Sequence, residues 1–323
     1  MGCHTFDLLP EKTIMEEFGD AFRNRILGQK FCYHGDGAKL YYDKESGLPE
    51  ELNPGVPVSG YVDFGRRHVF PGMSVPAPTA LVSLGSGNGY VDRAVLGAMA
   101  PGTPLDWFGV DSSSEMIALA EKEMAGCFPA DCSFVHADFS AAPFRGWLAS
   151  ATSKYPKRLF AFFNNTFANI YHTNIVDILR GLMESGERIW LDVLVRDGDS
   201  PMDNLRALEG FSEYVRHPLT RRFYMNPLTR FGVTDGDGEV IVKSKEIPAL
   251  KALVFRFSFG FKRKTVIRVN GEEVIALPGE EMKLTQIYTY DIPELVRFFE
   301  EHEFRLVADE PAADRRQMLF EKK

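Results

Sequence analysis

Apolar residues in the first part of the chain follow two alternating patterns. Short continuous apolar runs predict buried strands, and stretches with apolar residues three or four positions apart predict amphipathic helices. The predicted strands are 81–84, 106–110, 133–136, 158–163 and 187–195. The predicted helices are 11–31, 90–99, 113–125 and 172–185. This alternation predicts a parallel sheet with helices on both faces, which is an α/β fold.

The alternation stops near residue 198 and returns at the end of the chain. Residues 201–232 predict helices, and residues 239–286 predict β-hairpins, with Asn270-Gly271 as the strongest turn signal. The elements that restore the first pattern are a helix over 291–302 and strands over 304–309 and 316–321.

The break in pattern predicts two domains. Residues 1–198 together with 287–323 are expected to form one domain, and residues 199–286 an α+β domain inserted into it. A Gly- and Pro-rich stretch at about 45–77 is too long for an idle connector and is a candidate addition to the insert. The natural place for the insert is over the carboxyl edge of the sheet, where folds of this kind bind ligands.

A glycine-rich turn follows the first strand of the predicted sheet. It reads Gly85-Ser86-Gly87-Asn88-Gly89, and Asp111 ends the next predicted strand, 111 − 85 = 26 residues after the first glycine. Glycines leave room for a ligand beside the backbone, and an acid at this spacing can accept hydrogen bonds from ribose hydroxyls. The alternatives are an ordinary loop and an acid that caps the following helix. The layout favours a nucleotide-binding crossover.

The spacing of the glycines indicates which nucleotide derivative the turn suits. In the dinucleotide fingerprint G-x-G-x-x-G the third glycine lets helix and strand pack closely, and that position is Tyr90 here. This argues against NAD and favours S-adenosylmethionine (SAM), which has no pyrophosphate to be held. The pattern resembles motif I of class I SAM-dependent methyltransferases and implies a Rossmann-like sheet.

Polar residues also end the later predicted strands, at the same edge of the sheet. Asp138 is a candidate acceptor for an adenine amino group and Phe139 for contact with the ring, unless the acid only forms a turn. The run Asn164-Asn165, with Asn169 beyond it, is costly to bury without partners, so it either binds a ligand or forms an Asx turn. The candidate cofactor-binding residues are Gly85, Ser86, Gly87, Gly89, Asp111, Ser112, Met116, Asp138, Phe139 and Asn164.

Methyl transfer from SAM needs no protein nucleophile. The protein must align donor and acceptor about 3 Å apart and leave the acceptor lone pair free. Asn165 and Asn169 suit this task as hydrogen-bonding groups. An amine acceptor must also lose a proton, and the sequence does not identify that base. His172 follows the asparagine run, but a lone histidine after a loop is more often structural.

Short motifs resemble, in order, those of the histidine-specific Nα-methyltransferases of ergothioneine biosynthesis. The matching segments are Leu40–Gly47, Leu84–Gly87, Asn165–Asn169, Leu191–Asp197, Phe223–Arg230, Pro278–Glu280 and Tyr288–Tyr290. They span about residues 35–320. The resemblance implies a methyltransferase domain and an inserted domain that closes on an amino-acid substrate. It also implies that Tyr42 contacts SAM, that Tyr61 and Asn169 face the substrate, and that Tyr214 approximates the family's substrate tyrosine.

The sequence departs from this family where the family reads the imidazole of histidine. The family's Glu-x-Ser falls on Thr285 and Ile287, which removes a charged acceptor and a hydroxyl. A site built to hydrogen-bond imidazole discriminates strongly, so these changes argue against histidine. We expect Thr285 and Ile287 to contact a different and less polar acceptor.

Composition limits the partners and the compartment. The chain has 323 residues, 45% of them hydrophobic, and a formal net charge of −8, which disfavours nucleic acid and anionic membranes. The basic stretch around Lys262–Lys264 and Arg268 alternates with apolar residues, as on the solvated face of a strand. Four cysteines without metal-ligand spacing fit a reduced cytoplasm and predict neither a disulfide scaffold nor a metal site. No membrane span or secretion signal is expected.

Together these features predict a SAM-dependent methyltransferase that acts on a small molecule. N-methylation of an amino acid or amine other than histidine is the leading interpretation. O-methylation and transfer of the aminocarboxypropyl group of SAM are alternatives, as is a non-catalytic SAM-binding protein. An NAD-dependent oxidoreductase is the least favoured interpretation.

Overall fold

The apolar runs of the sequence become the inner strands of an eight-stranded sheet. The computed structural model describes residues 2–48, 58–73, 79–99, 105–125, 131–196, 198, 200–312 and 314–323. The helices are α1 (Glu11–Arg23), α2 (Gly37–Gly47), α3 (Val58–Phe64), α4 (Tyr90–Gly97), α5 (Ser114–Met124), α6 (Ala142–Ala151), α7 (His172–Leu182), α8 (Pro201–Arg216), α9 (Pro218–Thr229) and α10 (Ile292–Glu301). The strands are β1 (Cys3–Asp7), β2 (Thr79–Leu84), β3 (Leu105–Asp111), β4 (Cys132–His136), β5 (Lys157–Phe162), β6 (Arg188–Leu194), β7 (Gly238–Ile247), β8 (Ala252–Phe261), β9 (Thr265–Val269), β10 (Glu272–Ala276), β11 (Glu281–Thr289), β12 (Phe304–Ala312) and β13 (Arg315–Lys322).

The chain divides into two units, and each unit combines separate segments. Unit 1 consists of Met1–Leu8, Gly55–Val195 and Tyr290–Lys323. Unit 2 consists of Leu9–Pro54 and Arg196–Thr289. The N-terminal residues from Leu9 onward, expected in the domain of the large sheet, therefore belong to unit 2. The described part of the 45–77 stretch beyond residue 57 belongs to unit 1 and is largely helical, whereas 49–57 and 74–78 lie outside the described residues.

The sheet of unit 1 has the strand order β1-β4-β3-β2-β5-β6-β13-β12. Strands β1 to β6 are mutually parallel wherever they pair, and β13 runs antiparallel to both of its neighbours. The chain winds outward from β2 through α4, β3, α5 and β4, and then returns through α6 to β5 on the other side of β2. This reversal places a topological switch point between β2 and β5, where α/β sheets bind ligands beyond the carboxyl ends of the strands.

The inner strands are buried on both faces, which explains why they read as continuous apolar runs. All five residues of β4 are buried, and the core around them includes Trp107, Phe134 and Trp190. The edge strand β1 was not predicted from the sequence. It pairs in parallel with β4, but its residues are mostly exposed and carry no apolar run.

Unit 2 contains a three-stranded antiparallel sheet in the order β11-β8-β7 and a separate hairpin of β9 and β10. The hairpin turns at Asn270 and Gly271, whose φ angles are 52° and 78°. Two left-handed residues form the tight turn that the Asn-Gly pair predicts.

Helix α1 is shorter than the predicted 11–31 because the chain turns sharply after it. Arg25 adopts a left-handed φ of 57°, and Leu27 N then donates to the Lys283 carbonyl at 2.8 Å. The apolar residue Ile26, expected on the buried stripe, is 56% exposed.

Among the described helices, none has the length and apolar character that a bilayer crossing requires. Within the same part of the chain, no group of three or more His, Cys, Asp or Glu side chains forms a metal-binding cluster. Cys3, Cys32 and Cys132 are free thiols, and Cys127 lies outside the described residues.

Candidate functional site

The three glycines of the turn after β2 have left-handed φ angles for different reasons. Gly85 has a φ of 70°, and a Cβ there would lie 2.6 Å from Cγ2 of Thr166. Gly89, with a φ of 73°, is the N-cap residue of α4. Gly87 has a φ of 57°, and a Cβ there would meet no atom within 4 Å. Gly85 is therefore required by packing, whereas Gly87 borders open space.

The turn is held against β3 by its backbone. The N–H groups of Gly85 and Ser86 both donate to the Val110 carbonyl, at 2.8 and 3.0 Å. The Ser86 hydroxyl is buried and has no hydrogen-bond partner among the described residues. A buried hydroxyl without a partner is costly, so this oxygen is available to a ligand that contacts the turn.

Asp111 is bonded to both the turn and the next helix. One carboxylate oxygen accepts from Gly87 N at 3.0 Å, and the other accepts from Ser113 N at 2.9 Å. Burial raises the pKa of the Asp111 carboxyl, and the two backbone donors oppose that shift. Asp111 therefore does bond the start of the following helix, which was the alternative to a role in ligand binding. Each carboxylate oxygen still has a lone pair that could accept from a ribose hydroxyl.

The start of α5 supplies the remaining candidates near this acid. Ser113 is the N-cap, since its hydroxyl accepts from Met116 N at 3.2 Å. The Ser112 carbonyl lies 3.2 Å from Nε2 of His136. Met116 is buried on the inner side of α5. Ser112 and Met116 thus lie one residue and five residues after Asp111, on the segment that follows the carboxyl end of β3.

Asp138 forms a local turn, which the sequence left open as the alternative to binding adenine. Its Oδ1 accepts from Ser140 N at 2.8 Å and from the Ser140 hydroxyl at 2.5 Å. The Phe139 ring packs edge-on against Phe162, with 5.6 Å between centroids. Both residues lie beyond the carboxyl end of β4, on the same edge as the glycine turn.

The loop after β5 contacts the glycine turn across the switch point. Thr166 Oγ1 donates to the Gly85 carbonyl at 3.3 Å, and Asn169 N donates to the Asn165 carbonyl at 3.2 Å. Asn164 is exposed and has a left-handed φ of 55°. The structure thus brings the predicted cofactor residues and the asparagine run together at one edge of unit 1.

A buried polar cluster under this loop was not foreseen as functional. Asp192 on β6 is fully buried, and its Oδ2 accepts from the Tyr61 hydroxyl at 2.7 Å and from Arg315 Nη1 at 2.9 Å. Gln317 Nε2 donates to the other oxygen at 3.2 Å. The sequence signals were an acid inside an apolar strand, within the family-like segment Leu191–Asp197, and the family-like position of Tyr61. Tyr61, predicted to face the substrate, is 1% exposed and uses its hydroxyl within this cluster.

The remaining four predicted residues lie in unit 2. Tyr42 on α2 is 59% exposed. Tyr214 on α8 accepts from Lys44 Nζ at 3.1 Å. Thr285 on β11 is buried and donates to Gln29 Oε1 at 2.7 Å, and Ile287 on the same strand is also buried.

Two further groups have structural environments. Burial lowers the pKa of His172 to about 4, and its ring packs edge-on against Phe298, as expected for a structural histidine. Three residues of the basic stretch around Lys262–Lys264 and Arg268 pair with acids. These pairs are Lys262 with Glu239 at 2.9 Å, Arg263 with Asp237 at 2.7 Å and Arg268 with Glu273 at 2.9 Å.

No protein-family model matches the sequence. A search of curated proteins also finds no match. Among solved structures, the mitomycin 7-O-methyltransferase MmcR is 12% identical, with 97% of this chain and 69% of that chain covered and a TM-score of 0.47. The glycopeptide N-methyltransferase MtfA is 13% identical, with 82% and 95% covered and a TM-score of 0.39. The plantazolicin methyltransferase BpumL in complex with SAH is 15% identical, with 72% and 83% covered and a TM-score of 0.39.

The fold rests on the strand order, on the winding outward from β2 and on the antiparallel strand beside β6. These are the features of a Rossmann-like α/β sheet, and the predicted α/β fold class is confirmed.

Proposed function

We propose that this chain is a SAM-dependent methyltransferase that acts on a small molecule. The observation that carries the proposal is the hydrogen bond between Asp111 and Gly87 at the switch point of the sheet. It joins the glycine turn after β2 to the acid after β3, which are the two parts that a nucleoside site requires.

The residues of the turn fit SAM. Gly87 leaves space beside the backbone, and Ser86 offers a buried hydroxyl without a protein partner in the described chain. Asp111 would hold the ribose hydroxyls, Asp138 and Phe139 would face the adenine, and Asn164 would lie near the methionine part. When bound, SAM supplies an electrophilic methyl group on its sulfonium.

The acceptor is proposed to lie beside the loop after β5. The Asn165 Oδ1 accepts from Arg315 Nη2 at 2.6 Å, so the amide nitrogen of Asn165 remains as a donor. A donor there suits an oxygen of the substrate, and Asn169, four residues further along the chain, would complete its orientation. These groups orient the acceptor without acting as nucleophiles.

The proposed reaction is N-methylation of an amino acid or amine other than histidine. Thr285 donates its hydroxyl to Gln29, and Ile287 is buried and apolar, so neither replaces the family's charged acceptor for imidazole. O-methylation of a carboxylate or hydroxyl is the alternative reaction at the same site.

Calorimetric titration with SAM and S-adenosylhomocysteine (SAH) tests the proposal. We expect the wild type to bind both. Asp111→Asn should weaken SAH binding by roughly 1.5–3 kcal/mol, the usual contribution of a hydrogen bond to a charged group. Asp106→Asn is the matched control, because it makes the same change near the other end of β3. Equal affinity of Asp111→Asn and the wild type would remove Asp111 from the site.

Mass spectrometry of a panel of amino acids and amines then identifies the reaction. Gain of one methyl group on an acceptor other than histidine supports the proposal, and methylation of histidine contradicts the argument from Thr285 and Ile287. Transfer of an aminocarboxypropyl group identifies the other transferase reaction. SAM binding without turnover over the panel favours a non-catalytic protein. Binding of NAD instead of SAM would favour an oxidoreductase.

A further inference from the structure

We infer that Asp192 anchors a two-armed positioning network that fixes the loop after β5 and, through that loop, the glycine turn at which SAM is proposed to bind. The inference rests on the proposed function. In this inference Asp192, Tyr61 and Arg315 do not touch the cofactor themselves. Their role is to hold other residues in place.

The first arm runs from Asp192 through Tyr61 to Asn164. The Tyr61 hydroxyl has one proton, and it donates that proton to Asp192 Oδ2 at 2.7 Å. Its oxygen is then the acceptor for the backbone N–H of Asn164, at 3.3 Å. The donor and acceptor directions of the hydroxyl are thereby both fixed. Tyr61 thus fixes the backbone at Asn164, whose left-handed φ needs support from its surroundings.

The second arm runs from Asp192 through Arg315 to Asn165. The guanidinium donates through Nη1 to Asp192 at 2.9 Å and through Nη2 to Asn165 Oδ1 at 2.6 Å. A guanidinium only donates, so the amide oxygen of Asn165 must face it. The amide nitrogen of Asn165 therefore faces away from Arg315, in a single orientation.

The charge balance of the network favours a single arrangement of its side chains. Asp192 and Arg315 form a buried ion pair, and both oxygens of the carboxylate are satisfied. Burial raises the pKa of Asp192, while Arg315 and the Tyr61 hydroxyl favour the ionised form. Removal of one partner would leave a buried charge without compensation, which is costly.

The loop transmits this order to the glycine turn. Thr166 directly follows Asn165 and donates to the Gly85 carbonyl at 3.3 Å, and its methyl group lies 2.6 Å from the position that a Cβ on Gly85 would take. A shift of the loop would therefore move the turn. Chains of packed and hydrogen-bonded groups of this kind change the affinity of a connected site when they are broken.

The variants Arg315→Lys and Tyr61→Phe test the network, with SAH affinity measured by calorimetry on protein shown by circular dichroism to be folded. Lysine retains the charge but lacks the planar fork with which the guanidinium bonds Asp192 and Asn165 through separate nitrogens, and phenylalanine removes both bonds of the hydroxyl. We expect each to weaken SAH binding between about 3- and 30-fold. Because both arms share Asp192, the effects should not add in the double variant.

Arg158→Lys is the matched control. Arg158 and Glu187 form a buried bidentate pair at 2.5 and 2.8 Å near the amino ends of the neighbouring strands β5 and β6. The control should lose stability and keep the wild-type affinity for SAH. If both Arg315→Lys and Tyr61→Phe bind SAH with wild-type affinity, the inference is overturned and the proposed function stands. The same holds if Arg158→Lys loses as much affinity for SAH as these two variants do. A wild type that does not bind SAH overturns the proposed function and the inference together.

Discussion

At the scale of single residues, identical residue types have different roles in the glycine turn. Gly85 and Gly87 both have left-handed backbones, but of the two only Gly85 would place an added Cβ against another side chain, that of Thr166. The motif in the sequence does not distinguish them. The difference comes from the loop after β5, which is distant in sequence.

We predict that Gly85→Ala and Gly87→Ala separate folding from binding. Each should lose about 1–2 kcal/mol for a Cβ in the left-handed region, and Gly85→Ala should lose more because of the contact with Thr166. Gly87→Ala should retain the fold but weaken SAH binding, since its methyl group enters the open space beside the turn at which SAM is proposed to bind.

Urea unfolding and SAH calorimetry on the same samples check this prediction. Gly186→Ala is the control, because Gly186 has a φ of 82° and open space around its Cβ position, in the turn before β6. Unaltered SAH affinity in Gly87→Ala would contradict the binding role of this glycine.

For Asp111 and Asp138 the sequence left two roles open, ligand binding and a local turn, and the structure is compatible with both. Asp111 and Asp138 each form the local turn, and each lies at the carboxyl edge of the sheet. A carboxylate has several lone pairs, so a turn and a ligand contact do not exclude each other.

At the scale of elements, the positions of buried strands could be predicted from the sequence, but the end of helix α1 could not. The apolar runs gave β2 to β6 within a few residues, because a strand buried on both faces must be apolar throughout. Helix α1 ends before its apolar pattern does, since Arg25 leaves the helical conformation and the chain pairs with Lys283. The π-helical turn at Gly65–Val69 had no sequence signal.

A buried acid also joins two elements of unit 1. Asp92, in the first turn of α4, accepts from the indole N–H of Trp107 on β3 at 2.9 Å. Burial raises the pKa of Asp92 from 3.8 to about 6. The folded protein therefore holds this proton more tightly than the unfolded chain. The contribution of Asp92 to the free energy of unfolding is greatest below about pH 4 and falls as the pH rises through 6.

We predict that Asp92→Asn stabilises the protein at about pH 8 and much less at about pH 4.5. Asparagine keeps an oxygen for Trp107 and removes the buried charge. The difference between the two conditions should be at most about 3 kcal/mol, since one pKa unit corresponds to about 1.4 kcal/mol.

Urea unfolding followed by tryptophan fluorescence measures this difference. Asp63→Asn, an exposed acid on α3, is the control and should show no such dependence on pH. An equal effect of Asp92→Asn at both pH values would show that the carboxyl of Asp92 is not held protonated.

At the scale of the whole molecule, the composition of unit 2 was only partly predictable. Residues 199–286 were predicted to form an insert, whereas unit 2 consists of Arg196–Thr289 together with Leu9–Pro54. A buried asparagine connects the two segments. Asn226 on α9 donates through Nδ2 to the carbonyls of Cys32 and His34, at 3.0 and 2.8 Å. No local pattern in the sequence reveals such a contact.

We predict that Asn226→Asp lowers hydrogen-exchange protection in both segments of unit 2. The change replaces a donor to two carbonyls with a buried negative charge, which should cost at least about 2 kcal/mol. Protection of residues 29–47 and 218–229 should fall together, while β2 to β5 of unit 1 keep theirs.

Hydrogen-exchange mass spectrometry makes this comparison directly. Asn24→Asp, at the exposed end of α1, is the control and should leave the exchange unaltered. Loss of protection in 218–229 alone would contradict the assignment of Leu9–Pro54 to the same unit.

The sequence by itself determined the α/β class, most strand positions and the glycine turn with its acid. Those features depend on the local spacing of apolar residues and on the glycines and the acid, all of which can be seen within a short segment of the chain. Only the tertiary structure decided that Leu9–Pro54 belongs to unit 2 and that Asp192, Tyr61 and Arg315 meet under the asparagine loop. Hydrogen-bond partners far apart in sequence leave no periodic signal, because their meeting depends on how the sheet orders its strands.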